Sequence, residues 1–391
     1  MQVLYISQKP AFPIIDGGSF AINRFLKDVR ETVHGDIDYL AITTLKHPMD
    51  SDAAQNDLGD NITIYAVEVN TKLSILSFLA SLFSKLPYNL KRYKQTNFLQ
   101  KINALLAQKE YDYIILDGLY ASVFLDEIKS KSKAKIIYRS HNVEHQIWLD
   151  RATTTNNWLK RQFLFSLANK VSKYEKKLLQ ELDYIAAISS VDYDFFKLET
   201  THQVEIIPVS ILPIKTVDAI AQNQICFIGN FGWFPNIEGM SWFINQVFPI
   251  LKIDYPLLTL HIAGFESKEA LSNLVSDGIV IHGPVNDAAL FIKTHGIFVS
   301  PIFSGSGIKI KVLEAMNAGV PMVLSKKSAE GIGFPSEFTC FETKETAIML
   351  LKELLSKPIH IEHNQGLMRD LLQEQFSQEV VVKKLKAIIY D

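Results

Sequence analysis

Two lysines and a glutamate follow a glycine-containing turn in residues 304–321 (SGSGIKIKVLEAMNAGVP), and this pattern could bind an anion. A helix predicted over 308–318 would begin after the turn, where unpaired N–H groups and the helix dipole attract negative charge. Lys309 and Lys311 oppose that dipole unless an anionic ligand offsets them. Glu314, one turn further on, could accept hydrogen bonds from two hydroxyl groups, as in a ribose or a sugar. The pattern predicts a phosphate-binding loop; an ordinary βα loop with solvated lysines is the alternative.

A second turn follows the apolar run 224–228. Gly229 permits a sharp bend where a parallel strand would end, which is where α/β sheets bind ligands. We therefore expect Asn230, or its backbone, near a bound diphosphate. The alternative is an aromatic turn that packs for structural reasons alone.

Two further candidate segments lie in the first half of the chain. Gly17 and Gly18 precede a helix predicted over 20–30, and the polar segment 140–145 (SHNVEH) follows a predicted strand at 136–138. Two histidines and a glutamate in six residues would suit a metal, but no HExxH pattern is present, so no metal is expected. The alternatives are an ordinary βα turn and structural histidines.

Short apolar runs alternate with segments of helical period, which predicts parallel sheets built from βαβ units. The pattern runs once along residues 1–207 and restarts at 224–374, with a proline-containing linker at 208–223. A final helix at 375–391 could return to the first half. The predicted fold is α/β, with two Rossmann-like parallel-sheet domains facing each other across a cleft that binds the ligand. Strands are predicted at 3–7, 38–43, 62–67, 113–116, 136–138, 184–188, 224–228, 258–263, 279–282, 297–300 and 322–324.

Composition excludes several classes of protein. The 391 residues carry a net charge of −2, with 48% hydrophobic and 21% charged residues, so a globular protein without a nucleic-acid partner is expected. Cys226 and Cys340 are too few for a disulfide framework or a structural zinc site, which favours a reducing, cytoplasmic location. The first residues lack the pattern of a secretion signal, and no apolar run reaches 18 residues.

One apolar segment, 73–86 (LSILSFLASLFSKL), is followed by Lys91, Arg92 and Lys94. Such a helix with basic flanks could contact anionic lipid at the inner face of a membrane, as a peripheral protein would. The alternative is a helix that packs on its own domain or lines an acceptor cleft.

The pattern GxGxKxKxLEAMxxGxP in 305–321 resembles the donor-site signature of family 4 glycosyltransferases, retaining enzymes with the GT-B fold. The resemblance implies that Gly305, Gly307 and Lys309 form the donor loop. It further implies that Lys311 contacts the donor diphosphate and that Glu314 holds the nucleotide ribose. Many members have a glutamate at the position of Ser306. In this respect the loop of this chain is similar to that of a family subset with a GxGxRxK pattern.

The resemblance extends weakly into the first half of the chain. Gly17 and Gly18 resemble a PxxGG loop that passes close to donor phosphate and acceptor, and His141 matches a polar residue that lies against the reacting sugar. Implied catalytic residues are therefore His141, Lys311 and Glu314. Donor-binding residues are Gly17, Gly18, Gly229, Asn230, Gly305, Ser306, Gly307, Lys309, Lys311 and Glu314.

The function implied is transfer of a sugar from a nucleotide-diphosphate sugar to a hydroxyl of a glycan or lipid-linked acceptor, with no cofactor and no metal. Two alternatives remain open: a nucleotide-sugar epimerase with the GT-B fold, and an inactive GT-B scaffold protein. A dehydrogenase is disfavoured because no GxGxxG follows the first strand.

Overall fold

A computed structural model describes residues 1–72, 84, 86–214, 221–305, 307–334, 338–356 and 361–390. Most of the apolar segment 73–86 lies outside the described residues, as do Ser306 and residues 215–220 of the predicted linker. No helix within the described ranges is long and apolar enough to cross a membrane.

Strands and helices alternate along the chain. The strands are β1 Gln2–Ser7, β2 Asp36–Thr43, β3 Ile62–Glu68, β4 Tyr113–Asp117, β5 Lys135–Arg139, β6 Tyr184–Ala187, β7 Gln203–Ile206, β8 Gln224–Ile228, β9 Thr259–Ala263, β10 Ile279–Gly283, β11 Ile297–Ser300 and β12 Met322–Leu324. The α-helices are α1 Gly17–Thr32, α2 Ser51–Leu58, α3 Tyr88–Lys91, α4 Thr96–Gln108, α5 Leu125–Lys129, α6 Glu144–Thr154, α7 Trp158–Leu179, α8 Ser190–Glu199, α9 Phe234–Trp242, α10 Phe248–Asp254, α11 Ser267–Ala270, α12 Ala288–Thr294, α13 Ile310–Ala318, α14 Lys326–Ala329, α15 Lys344–Ser356, α16 Ile361–Leu371 and α17 Gln378–Tyr390.

Contacts divide the chain into two compact units. The first comprises Met1–Val209, Gly305, Gly307 and the residues from Val381 onward; the second comprises Ser210–Ser304 and Ile308–Val380. Each unit contains one sheet in which every pairing is parallel. The strand orders are β3-β2-β1-β4-β5-β6-β7 and β10-β9-β8-β11-β12. These two parallel-sheet units confirm the predicted fold class.

The strands form because their residues are apolar and lie between helices on both faces of a sheet. In β1, every residue from Val3 to Ser7 is buried, and β4 is buried throughout. The last helix of the chain, α17, packs into the first unit: Leu385 and Ile388 join its core, and the Tyr113 hydroxyl donates to the Ile389 carbonyl at 2.7 Å.

All eleven predicted strands are present, with bounds that shift by up to two residues. The twelfth, β7, was missed because it is a four-residue edge strand with only one buried side chain. The sequence also predicts a helix over 239–248, and its bounds were wrong: α9 begins at Phe234, and a π-helical segment, Phe243–Val247, joins it to α10.

Candidate functional site

The turn between β11 and α13 has the backbone geometry that its glycines predict. Gly305 and Gly307 have φ angles of 91° and 77°, and Gly319 ends α13 in the left-handed region at 70°. A side chain at such angles is strained, which explains glycine at these positions. The helix itself begins at Ile310, two residues later than predicted, so Lys309 is its N-cap residue and Lys311 lies within its first turn.

Lys311 lies in an environment that does not neutralise its charge. Its ammonium group donates to the Asn236 side-chain oxygen at 2.5 Å and lies 4.2 Å from the centroid of the Phe227 ring. No carboxylate among the described residues lies within ion-pair distance of this ammonium. Burial, together with the charge of Lys309, lowers the Lys311 pKa well below its usual value, and Glu314 offsets this only in part. The first turn of α13 therefore contains a positive charge that an anionic ligand would stabilise.

Glu314 is perturbed in the opposite direction. Burial, with the charge of Asp287 at the start of α12, raises the pKa of this carboxyl from 4.5 to about 7, and Lys311 lowers it only partly. Hydrogen-bond donors from a ligand would favour the ionised form, since they stabilise the negative charge. Perturbed charges grouped at one helix N-terminus are typical of functional sites.

Asn236 connects Lys311 to the turn after β8. Its amide nitrogen donates to the Asn230 carbonyl at 2.6 Å, while its oxygen accepts from Lys311. A Cβ at Gly229 would come within 3.0 Å of both the Lys311 ammonium and the Asn236 amide, so glycine leaves room for the lysine. The Asn230 side chain accepts the Gly232 N–H at 2.8 Å and shapes the turn. The structure therefore brings Gly229 and Asn230 to Lys311, as one site in the second unit.

Ser304 and Glu238 join the glycine turn to α9, since the serine hydroxyl donates to the glutamate carboxylate at 3.0 Å. Lys309 is buried, with 4% of its surface exposed. Ser306, the residue that departs from the family's usual glutamate, lies outside the described residues, so its predicted donor contact stays a prediction.

In the first unit, the carboxyl ends of three strands bring together Tyr5, Asp117 and His141. Asp117 ends β4 and is fully buried; one of its oxygens accepts from the Tyr5 hydroxyl, and the other pairs with the His141 Nε2. Burial and the nearby Asp117 charge raise the Tyr5 pKa well above its usual value, so the phenol stays protonated. An aspartate bound to one imidazole nitrogen fixes the tautomer and the orientation of the ring.

Two neighbours of His141 have structural partners. Arg139 is fully buried, donates to the Ile207 carbonyl and has its guanidinium 4.4 Å from the Phe25 ring centroid. His145 pairs with Glu175 at 2.7 Å, whereas His141 pairs with Asp117, so the two histidines bind different carboxylates.

Gly17 and Gly18 form the first turn of α1, after the N-cap Asp16. Asp16 accepts the Ser19 N–H at 2.8 Å and pairs with the Lys9 ammonium at 2.6 Å. Burial alone would raise the Asp16 pKa, but these partners lower it to about 2. A Cβ at Gly18 would lie 2.4 Å from the Lys9 ammonium, so glycine here makes room for a lysine that no sequence motif had singled out.

The candidate site residues predicted from the sequence did not include Asn236 or Asp117. A signal exists for each: Asp117 is the one polar residue that closes the all-apolar run 113–116, and Asn236 follows a proline at the start of a helix. A polar side chain that closes a buried strand points to a ligand or to a buried partner.

Comparisons with known proteins bear on the second unit in particular. Residues 222–341 match the family described as "Glycosyl transferases group 1". This range contains β8 to β12 and Lys311 with its neighbours Gly229, Asn230, Asn236 and Glu314. A Klebsiella pneumoniae protein described as "Uncharacterized 44.6 kDa protein in cps region" is 26% identical over 346 residues, covering 85% of this chain and 84% of the relative.

Solved structures share the fold over the entire chain. Sucrose-phosphate synthase from Thermosynechococcus elongatus is 14% identical with a TM-score of 0.69, covering 99% of this chain and 98% of its own. Anabaena HepE, solved with UDP and glucose, is 13% identical with a TM-score of 0.65, covering 100% and 99%. Staphylococcus aureus TarM, solved with Fondaparinux, alpha-GlcNAc-glycerol and UDP, is 10% identical with a TM-score of 0.70, covering 100% of both. These likenesses show that the two parallel-sheet units have the GT-B fold.

Proposed function

We propose that this protein is a retaining glycosyltransferase that moves a sugar from a nucleotide-diphosphate sugar to a hydroxyl of a glycan or lipid-linked acceptor. The observation that carries the proposal is Lys311, a buried lysine in the first turn of α13. Among the described residues, its ammonium group bonds the Asn236 amide oxygen and faces the Phe227 ring, and burial lowers its pKa. The family match over 222–341 supports it, because that region contains Lys311 and its partners.

Lys311 and the first turn of α13 would bind the donor diphosphate. Transfer forms a bond between the acceptor oxygen and the anomeric carbon, breaks the bond from that carbon to the phosphate oxygen, and passes the acceptor proton to the departing phosphate. Negative charge therefore grows on the leaving diphosphate, where a preorganised cation and helix N–H groups stabilise it most. The lowered pKa of Lys311 rises again when the phosphate binds, which adds to affinity.

Glu314 would hold the nucleotide ribose, and Gly229, Asn230, Gly305, Ser306, Gly307 and Lys309 would surround the diphosphate. In the first unit, Gly17 and Gly18 would lie near donor phosphate and acceptor. His141, oriented by Asp117, would hydrogen-bond the reacting sugar. No metal or other cofactor is needed by this scheme, since protein cations balance the diphosphate charge.

The structural neighbours suggest which donors to test first. HepE and TarM were solved with UDP, so UDP-sugars lead the panel, followed by GDP-, ADP- and dTDP-sugars. A donor that binds the folded protein raises its unfolding temperature by mass action. No shift with any donor would favour the inactive scaffold, and turnover of a donor without any acceptor would favour the epimerase.

The decisive experiment compares Lys311→Ala with Lys352→Ala in a transfer assay with the donor that binds best. Lys352 is a lysine of the same unit that pairs with Asp254, away from the α13 turn. We expect the first variant to lose about 10²–10³-fold in turnover and the second to match wild type. Normal turnover by Lys311→Ala would overturn the assignment. The anomeric configuration of the product, read by NMR, tests retention directly.

A cytoplasmic location with peripheral contact at the membrane face also stays part of the proposal, through the segment 73–86. Co-sedimentation with vesicles that contain anionic lipid, compared with neutral vesicles and with a variant in which Lys91, Arg92 and Lys94 are replaced by serine, tests it. Equal sedimentation under all these conditions would remove membrane contact from the proposal.

A further inference from the structure

Three histidines distant in the sequence converge at one edge of the second unit's sheet. His261 lies on β9, His282 lies on the edge strand β10, and His295 is the C-cap residue of α12. One ring nitrogen from each lies within 4.8 Å of the other two, and all three side chains are partly exposed. Ring centroids are 4.4–5.3 Å apart.

Strand pairing places His282 beside His261. The Val280 position of β10 pairs with His261, and His282 lies two residues further along the same face of the strand. The register of β9 and β10 then shifts between Ile281 and Gly283, so His282 is the extra residue there. Such bulges are enriched beside functional sites. The His261 Nδ1 and the His282 Nε2 lie 3.0 Å apart.

The remaining ring nitrogens have partners that suit metal ligation. The His295 Nδ1 lies 2.7 Å from the Phe291 carbonyl, which can only accept, so this nitrogen carries the proton and Nε2 keeps its lone pair. The His261 Nε2 lies 3.1 Å from the Thr259 hydroxyl, which can accept in the same way. Metal-binding histidines characteristically donate their second N–H to a carbonyl or hydroxyl, which fixes the tautomer.

We propose that His261, His282 and His295 bind one late first-row transition-metal ion, of the Zn²⁺ class, through three imidazole nitrogens, with solvent in the fourth position. Three neutral imidazoles suit Zn²⁺, Co²⁺ and Ni²⁺ but not Mg²⁺ or Ca²⁺, which prefer oxygen. Zn–N bonds of about 2.0–2.1 Å in a tetrahedron place ligand nitrogens roughly 3.4 Å apart, so the pair at 3.0 Å needs to move only slightly.

The cluster is also suited to bind a cation at neutral pH. Burial, with the neighbouring His295 and His282, lowers the His261 pKa to about 4, and burial, His295 and the charge of Lys268 lower the His282 pKa. Protons therefore compete weakly for these nitrogens. The ion would connect β9, β10 and the end of α12, and none of its three ligands is a residue proposed for the transfer chemistry. The proposal departs from the expectation from sequence that no metal is bound.

The test is a titration of untagged, metal-free protein with ZnCl₂ against a chromophoric chelator, and with CoCl₂ monitored by visible absorption. We expect one ion per chain, the absorption of a tetrahedral Co²⁺ complex, and a higher unfolding temperature with Zn²⁺. His261→Ala, His282→Ala and His295→Ala should each weaken binding at least about tenfold.

Two histidines outside the cluster supply matched controls: His34→Ala and His202→Ala should bind Zn²⁺ like wild type. If His261→Ala fails to fold, the partly exposed His282 and His295 variants decide the question. Absence of Zn²⁺ and Co²⁺ binding by wild type, or unchanged binding in those variants, would overturn the site. Lys311→Ala should bind Zn²⁺ normally, so failure of the transfer proposal would leave this result intact.

Discussion

The two units differ in how their buried charged groups are compensated. In the first unit, Asp117 is fully buried, but Tyr5 and His141 bond both of its oxygens. In the second, Lys311 contacts the Asn236 amide oxygen and the Phe227 ring, with no carboxylate of the described residues at ion-pair distance; its pKa is lowered, while that of Glu314 is raised to about 7. The first arrangement stabilises a folded unit and orients an imidazole, whereas the second keeps charge for a ligand to satisfy.

The largest effect expected from this difference concerns Lys311→Met, which keeps the length of the side chain and removes its charge. We expect turnover to fall by about 10²–10³-fold. Stability without ligand should be unchanged or higher, because an uncompensated buried cation has been removed. Donor turnover and thermal unfolding measure the two effects. A large loss of stability would instead make Lys311 a structural residue.

Asp117→Ala should have the opposite effect, a loss of stability with nucleotide binding retained. It leaves the Tyr5 hydroxyl and the His141 ring without their buried acceptor, and we expect the free energy of unfolding to fall by about 3 kcal/mol. Calorimetry should show the change in the transition of the first unit, and nucleotide binding by the second unit should persist. Asp60→Ala, at an exposed position of the same unit, is the control; an equal effect of both substitutions would contradict the idea.

Glu314→Gln tests the second unit through the pH dependence of its stability. The raised carboxyl pKa of the folded protein gives a contribution to stability that is complete below the ordinary 4.5 and is lost as pH rises through about 7. Wild type should therefore lose stability relative to Glu314→Gln between about pH 4.5 and 7.

Nucleotide binding should have the opposite slope, because ribose hydroxyls favour the carboxylate. Affinity for UDP should fall about fivefold as pH drops from 7 to 6 in wild type, and less in Glu314→Gln. Isothermal titration calorimetry at several pH values measures it. Parallel curves for the two proteins would show that Glu314 does not contact the nucleotide.

The smallest expected effect belongs to the first unit. Asp16→Ala removes the N-cap of α1 and the Lys9 pair, and should lower the free energy of unfolding by about 1 kcal/mol at pH 7. Because the Asp16 pKa is lowered to about 2, its contribution is present above the ordinary 3.8 and lost as pH falls through about 2. Denaturant unfolding measures this, again with Asp60→Ala as control; no difference between the two variants would count against the cap.

The sequence predicted the strands and helices better than it predicted which side chains contact one another. Strand β1 is an uninterrupted buried run, so hydrophobicity alone located it, whereas β7 alternates and lies at a sheet edge, where that signal fades. The glycine turn and Lys311 were recognisable because their spacing is local. The role of Asn236 was not, because its side chain meets Lys311 only when α9 and α13 are folded together.

By itself, then, the sequence determined the alternation of strands and helices, the parallel sheets, and the glycine turn that leads into α13, since each depends mainly on residues that are close in the sequence. Only the tertiary structure decided which polar side chains share a site. Asp117 meets His141 because parallel strands end at one edge of a sheet, and His261, His282 and His295 meet because the pairing of β9 with β10 and the packing of α12 place three distant segments together. Such contacts depend on register and packing, which no local pattern of residue types specifies.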